Sequence, residues 1–330
     1  MILVVSLNPA LDLTYEVEEA DWGGVNRPHT VHVRPGGKGV NVARTLRALG
    51  HQVRLVGLVG GATGGELEER LAGSGIEVAF TAILGHTRRT LTVVDATRQH
   101  AALFNEPGPA VAGAEYQLFL DGYLAALGEC DSVVLSGSLP GGVGAGAYAE
   151  LITSARAASV PVILDTSGPA LALGAAAGPT VVKPNLAELE HATEAEPATS
   201  GKVRCRSGDI GESSLSLVEA AAGELIRAGA RSVVVSLGGE GLLAVTGEGC
   251  WLARPGELVS GNPTGAGDAV VAGLADGLVR GLDWPQRLRQ AVALGTATVA
   301  APVAGEFALK DYQRHHSLVQ LNLVDAQSTR

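Results

Sequence analysis

The sequence predicts an α/β fold, a mainly parallel sheet with helices packed on both faces. Short β-branched runs alternate with Ala/Leu-rich helical stretches, and the runs are apolar without strict alternation, the mark of strands buried on both sides. The 45 glycines among 330 residues are too many for a helical bundle and suit a chain of tight strand–helix turns. With 46% hydrophobic but only 4% aromatic residues, the core must be built from Ala, Val and Leu.

In chain order, strands are expected at 1–7, 52–59, 132–136, 160–165, 180–183 and 232–237. Helices are expected at 40–49, 65–72, 145–157, 186–191, 214–228 and 267–280. Segments 13–33 and 86–104 break this rhythm. They hold alternating strands such as Thr14 to Glu18 and Thr90 to Asp95 with no helix between. They read as hairpin material outside the main sheet, a small β-lid that would shield a reaction from water. Residues 291–305 carry no charge but are Ala/Thr/Gly/Pro-rich and too short for a bilayer, so a buried helix is expected there. The polar, Ser/Gly-rich segment 194–213, with Lys202, Arg204 and Arg206, reads as a solvated surface loop. No internal repeat or interdomain linker is evident, which predicts one domain over 1–330.

A net charge of −10 argues against nucleic acid or an anionic membrane as the main partner. Anionic small molecules stay admissible, because a few local cations override a diffuse negative field. Cys130, Cys205 and Cys250 form no metal-spaced pair and read as free thiols in a reducing compartment. The chain opens directly on a strand, with no basic segment or cleavage site before it, so a cytoplasmic protein is expected.

Chemistry concentrates in five glycine- or turn-rich elements. Asn262-Pro263-Thr264-Gly265-Ala266-Gly267-Asp268 precedes a small, apolar helix. N–H groups at such a helix mouth hold anions, and a carboxylate beside a bound phosphoryl suits the role of proton acceptor; the plain alternative is a Gly-rich turn capped by Asp268. Arg34-Pro35-Gly36-Gly37-Lys38-Gly39-Val40-Asn41 is not a P-loop, but small residues admit a polar ligand, Asn41 can bond hydroxyls and Lys38 can meet an anion. Asn8-Pro9-Ala10-Leu11-Asp12 follows the first strand, where α/β sheets place ligands, and Asp12 can accept from hydroxyls or merely cap the turn. In Lys183-Pro184-Asn185-Leu186-Ala187-Glu188, Asn185 and Glu188 share a helix face, fit either to hold waters of a hydrated Mg²⁺ or to form a capping box. Ser236-Leu237-Gly238-Gly239-Glu240-Gly241 is a further glycine turn after an apolar strand. Thr87-Arg88-Arg89-Thr90 and Ser136-Gly137-Ser138-Leu139-Pro140 add guanidinium and hydroxyl groups suited to phosphate.

Taken together and in this order, the elements make the sequence resemble the PfkB carbohydrate kinases of the ribokinase-like superfamily, over nearly the whole chain. The N-P-A-L-D start and Phe104-Asn105-Glu106-Pro107-Gly108-Pro109 look like its phosphosugar branch. Gly24-Val25-Asn26-Arg27 is similar to the lid motif of the fructose-1-phosphate kinases. The resemblance implies a ribokinase-like three-layer α/β/α sandwich with a β-lid at about 13–34 and 86–105. It implies ATP and Mg²⁺ as cofactors and a phosphosugar as acceptor. Asp268 would be the catalytic base, and Gly265, Ala266 and Gly267 the anion hole. Asp12, Gly36, Gly37 and Asn41 would hold the sugar, with Lys38, Arg88 and Ser138 on its phosphate and Arg27 joining from the lid. Lys183, Asn185, Ser236, Gly238, Gly239, Gly241, Val292 and Thr296 would contact the nucleotide, and Asn185 and Glu188 would lie at the metal. Relatives often pair through their lids, so a homodimer is expected.

The activity so implied is phosphorylation of fructose 1-phosphate to fructose 1,6-bisphosphate, with tagatose 6-phosphate and fructose 6-phosphate as alternative acceptors. Thr90 stands where many relatives have Asn, Ser6 where Thr is common, and 194–213 is longer than usual; these departures leave the sugar open. A non-catalytic sugar-phosphate or nucleotide sensor on the same fold would have lost the base or the glycine turn, and both are intact here. An NAD-dependent dehydrogenase would need G-x-G-x-x-G where this chain has N-P-A-L-D.

Overall fold

In a computed structural model, residues 1–98, 100–193, 212–301, 303 and 305–324 are described. The first half runs β1 (Ile2–Ser6), β2 (Ala10–Val17), β3 (Thr30–Gly36), α1 (Lys38–Ala48), β4 (Val53–Gly60), α2 (Gly61–Leu71), β5 (Glu77–Ile83), β6 (Arg88–Asp95), β7 (His100–Asn105), α3 (Gly113–Ala126), β8 (Ser132–Ser136) and α4 (Ala147–Ala157). The second runs β9 (Val162–Asp165), α5 (Pro169–Ala176), β10 (Val181–Val182), α6 (Leu186–Thr193), α7 (Glu212–Ala228), β11 (Val233–Ser236), β12 (Leu242–Thr246), β13 (Gly249–Arg254), α8 (Ala266–Val279), α9 (Trp284–Ala300), α10 (Leu309–Leu318) and β14 (Gln320–Val324).

All six expected core strands lie side by side in a sheet of order β14-β13-β12-β11-β10-β9-β8-β1-β4-β5, parallel from β11 through β5. The antiparallel edge β12–β14 and the strand β5 were not expected from the sequence. β5 is partly exposed along its length, so its apolar signal is weak. Successive residues of β1 feed opposite cores: Leu3 and Val5 pack on one face, Ile2 and Val4 on the other. This two-sided burial is why the strands do not alternate in polarity.

One core takes Phe119, Tyr123, Tyr148 and Leu171 from α3, α4 and α5; the other takes Val40, Leu46, Val271 and Leu288 from α1, α8 and α9. Small residues let α8 and α9 lie close, since a Cβ on Gly273 would sit 2.8 Å from Ala291 Cα. The uncharged stretch beginning at 291 is the buried C-terminal part of α9. Among the described residues no helix is long and apolar enough to cross a membrane.

The two irregular segments form a second sheet of order β3-β2-β6-β7. Each is an antiparallel hairpin, and β2 pairs with β6 in parallel, from Ala10↔Arg88 to Val17↔Asp95, which joins them. Because β2 begins at Ala10, Asp12 belongs to this sheet and not to the loop after β1. The surface-loop expectation for 194–213, with Lys202, Arg204 and Arg206, falls mostly outside the described residues.

Candidate active site

Two cavities meet at the N-terminus of α8. One, of about 650 Å³, is lined by Ser236, Gly238, Gly239, Gly241, Ala266, Val292 and Thr296, among others. The other, of about 700 Å³, is lined by Asp12, Gly37, Lys38, Asn41, Arg88, Ser138, Lys183, Glu188, Gly265 and Asp268. Asn185, Ser236 and Gly267 border both. Volumes of this size suit small-molecule ligands.

Local backbone chemistry explains the junction. Gly265 caps α8 at φ 83°, a left-handed conformation that a residue with a Cβ resists. The turn is braced by Gly305 N–H, which donates to the Thr264 carbonyl at 3.1 Å. The first helical turn, Ala266 to Asp268, thereby points its positive dipole end at the meeting of the cavities. Gly241, at φ 95°, is fixed by another constraint, because a Cβ there would run into the Ala253 carbonyl of the neighbouring strand.

Asp268 is 7% exposed, and Asn41 Nδ2 donates to its Oδ2 at 2.9 Å. Burial and the nearby Asp165 charge push its pKa up to about 7, against the opposing pull of Asn41, Lys38 and Lys183. Asp165 ends β9 and is fully enclosed. Its Oδ1 accepts from Lys183 Nζ at 3.2 Å and Lys38 Nζ at 3.3 Å, and Ser136 Oγ donates to its Oδ2 at 3.2 Å. Burial opposes its charge, yet the two lysines hold its pKa below the usual value. Lys38 also meets Glu188 Oε1 at 3.4 Å, and Asp165, Glu188 and Asp268 outweigh burial to keep its pKa high. Asp12 differs from Asp165: burial raises its pKa, only partly offset by the Thr90 hydrogen bond and the Arg88 charge.

Asn185 and Glu188 form the capping box. Asn185 N–H donates to Glu188 Oε2 at 2.9 Å, and Glu188 N–H donates to Asn185 Oδ1 at 2.8 Å. Among the described residues, no group of three or more His, Cys, Asp or Glu side chains is placed to hold a metal ion. Asn185 and Glu188 line the second cavity beside the α8 N-terminus, and their few oxygen donors suit a cation that keeps much of its water shell.

Of the remaining expected site residues, Lys183 lines the second cavity rather than the first. Gly36 lines neither; a Cβ there would collide with the Asp12 carboxylate, so its smallness serves that side chain. Arg27 is exposed in the connection between β2 and β3 and borders neither cavity. Asp165 and Arg44 were not among the expected site residues, although both line the second cavity. The position of Asp165 at the carboxyl end of a core strand was the available signal for it.

The sequence profile of the pfkB family carbohydrate kinases matches residues 2–310. The chain belongs to this family. It is 39% identical over 297 residues to a curated 1-phosphofructokinase of Rhodobacter capsulatus, covering 88% of each chain. Its fold is similar to that of phosphofructokinase-2 from Escherichia coli, solved in complex with potassium, at TM-score 0.84 and 30% identity over 96% of this chain and 98% of that one. A protein described as a possible 1-phosphofructokinase from Thermotoga maritima matches at TM-score 0.84 and 28% identity, over 98% of this chain and 100% of that one. The chain is therefore a sugar-phosphate kinase with ATP as a substrate. The main sheet and its helices are the ribokinase-like α/β/α sandwich of this family, and the four-stranded sheet is its β-lid.

Proposed function

We propose that this kinase transfers the γ-phosphoryl group of ATP to a primary hydroxyl of fructose 1-phosphate, giving fructose 1,6-bisphosphate. The junction of the two cavities carries the reading: the buried carboxylate of Asp268 faces the cavity that also holds Lys38, Arg88 and Lys183, and the α8 N-terminus borders both. In this reading ATP occupies the cavity of Ser236, Gly238, Gly239, Gly241, Val292 and Thr296. The sugar lies against Asp12, Gly37 and Asn41, with its phosphate near Lys38, Arg88 and Ser138. Asp268 takes the hydroxyl proton, and a pKa of about 7 matches that task at neutral pH. The N–H groups of the Gly265–Gly267 turn receive the charge that spreads over the transferring group. Lys183 and Lys38, held by Asp165, add fixed positive charge beside it. Mg²⁺, held through water by Asn185 and Glu188, would neutralise phosphate charge when bound.

The lid supports a homodimer. Trp22, Val25, Val31 and Phe104 are all at least half exposed on the second sheet and its connections, an apolar surface suited to a contact between copies. The E. coli phosphofructokinase-2 is known in a tetrameric form, so self-association occurs in this family. Use of ATP and the two described free thiols, Cys130 and Cys250, fit a cytoplasmic enzyme.

An ATP-consumption assay across fructose 1-phosphate, fructose 6-phosphate and tagatose 6-phosphate tests the substrate. The highest kcat/KM is expected with fructose 1-phosphate. A preference for fructose 6-phosphate, the ligand in one E. coli phosphofructokinase-2 structure, would reassign the sugar. Equal rates on unphosphorylated fructose would overturn the phosphosugar reading altogether.

A further inference from the structure

We infer that Asn8 is a positioning residue that sets affinity for the sugar's own phosphate by fixing the direction of the Ser138 hydroxyl; this rests on the substrate site proposed above. Asn8 stands where the chain leaves the core strand β1 for the lid strand β2. It is 8% exposed and borders the cavity of Lys38, Arg88 and Ser138. β1 and β8 pair in parallel with Ile2 opposite Ser132, and the same offset of 130 places Asn8 opposite Ser138 beyond the strand ends. There the ladder continues through side chains, with Asn8 Nδ2 donating to Ser138 Oγ at 3.1 Å.

That bond occupies a lone pair of the Ser138 oxygen and leaves its O–H free to donate into the cavity, as an anion requires. The Asn8 backbone carbonyl meanwhile accepts from Arg88 Nε at 3.2 Å. One residue therefore engages two expected phosphate donors, one from the core sheet and one from the lid. Asn8 Oδ1 is buried and takes no hydrogen bond from another protein group, so the amide's bond to the protein runs through Nδ2 to Ser138. Gly108 covers this oxygen, and a Cβ at Gly108 would run into it. Gly108 lies just beyond Glu106, whose carbonyl receives Arg88 Nη1 at 3.4 Å. The lid loop, the amide and the two donors are thus one packed unit.

The test is a double-mutant cycle in the full-length enzyme, reading KM for fructose 1-phosphate separately from KM for ATP and from kcat. Asn8→Ala should raise the sugar-phosphate KM about 10-fold, the equivalent of one lost hydrogen bond, and leave the ATP KM unchanged. Asn8→Asp should raise it further, because the carboxylate would accept the Ser138 O–H hydrogen bond in place of the phosphate and repel the phosphate. In a Ser138→Ala background, Asn8→Ala should have no further effect. Gly108→Ala, which displaces the amide without touching Ser138, should reproduce the KM effect and serves if the Asn8 variants fail to fold. Ser138→Ala raising KM while Asn8→Ala and Gly108→Ala do not would overturn the inference and spare the substrate site. Ser138→Ala leaving KM unchanged would overturn the substrate site and the inference with it.

Discussion

Asp268 is a carboxylate in a place that resists its charge. It is enclosed, a second carboxylate lies near, and the two lysines that could neutralise it are already bonded to Asp165. Its proton is consequently held to about pH 7, and the signs of two predictions follow. As a base it acts only when ionised, so kcat/KM should rise tenfold per pH unit below about 7 and level off above it. Asp268→Asn should lower kcat by about 10²–10⁴-fold while leaving ATP binding in place. A variant retaining near wild-type kcat would remove Asp268 from the mechanism. For stability, the pKa raised by folding means that ionisation weighs against the native state. That penalty is absent below about pH 4, where the unfolded chain is protonated too, and complete above about pH 7. Thermal melts should therefore show Asp268→Asn gaining on the wild type between pH 4 and pH 8, and a constant difference would contradict it. Asp268 was legible in the sequence because a short linear motif carries it. Asp165 was marked only by its place at the end of a core strand, since its bonds to Lys38, 127 positions away, and to Lys183 just after the next strand come from packing.

At the scale of elements, helix α8 delivers Asp268, and its position depends on close packing against α9. Gly273 is the contact point, where any larger side chain meets Ala291 Cα and N at 2.8 and 3.0 Å. Both are backbone atoms, so neither can yield by rotating a side chain. Gly273→Val should cost about 1–3 kcal/mol of stability in urea unfolding and lower kcat by displacing the base. Unchanged stability would show that the helices separate freely. The lid works by the period of its strands. On β2 the cavity-facing residues are Asp12, Thr14 and Glu16; on β6 they are Arg88, Thr90, Thr92 and Val94. The alternation was visible in the sequence, and both hairpins were expected from it. The parallel pairing that sets Asp12 beside Thr90 was not, because nothing within either hairpin specifies how it meets the other. The Asn185–Glu188 pair shows the limit of spacing from the opposite side. The same i, i+3 geometry serves a capping box and a water-held cation, and the structure shows the capping bonds made while both side chains still border the cavity.

For the molecule as a whole, the exposed apolar surface of the lid predicts that two copies of the 33.5 kDa chain associate. Trp22 and Phe104 lie against each other on that surface, their ring centroids 6.2 Å apart and their planes tilted by 45°. Sedimentation of the wild type should give a dimer, and Phe104→Asp should shift it toward monomer by placing a charge in the contact. A wild type that sediments as a monomer would remove the lid from the interface. The expected lid position of Arg27, exposed and outside both cavities of its own chain, gives this experiment a second use, since a residue acting across a dimer would lose its effect in the monomeric variant. The sequence by itself determined the parallel core, the glycine turns and the placing of Asp268 at the mouth of a helix. Each rests on local periodicity or on backbone freedom that neighbouring residues decide. Tertiary structure alone decided the antiparallel edge of the sheet, the union of the two hairpins, and the Lys38–Asp165–Lys183 cluster. These depend on contacts between residues far apart in the chain, Lys38 and Asp165 among them, or on partly exposed strands, where burial and charge are set by packing and leave no local pattern to read.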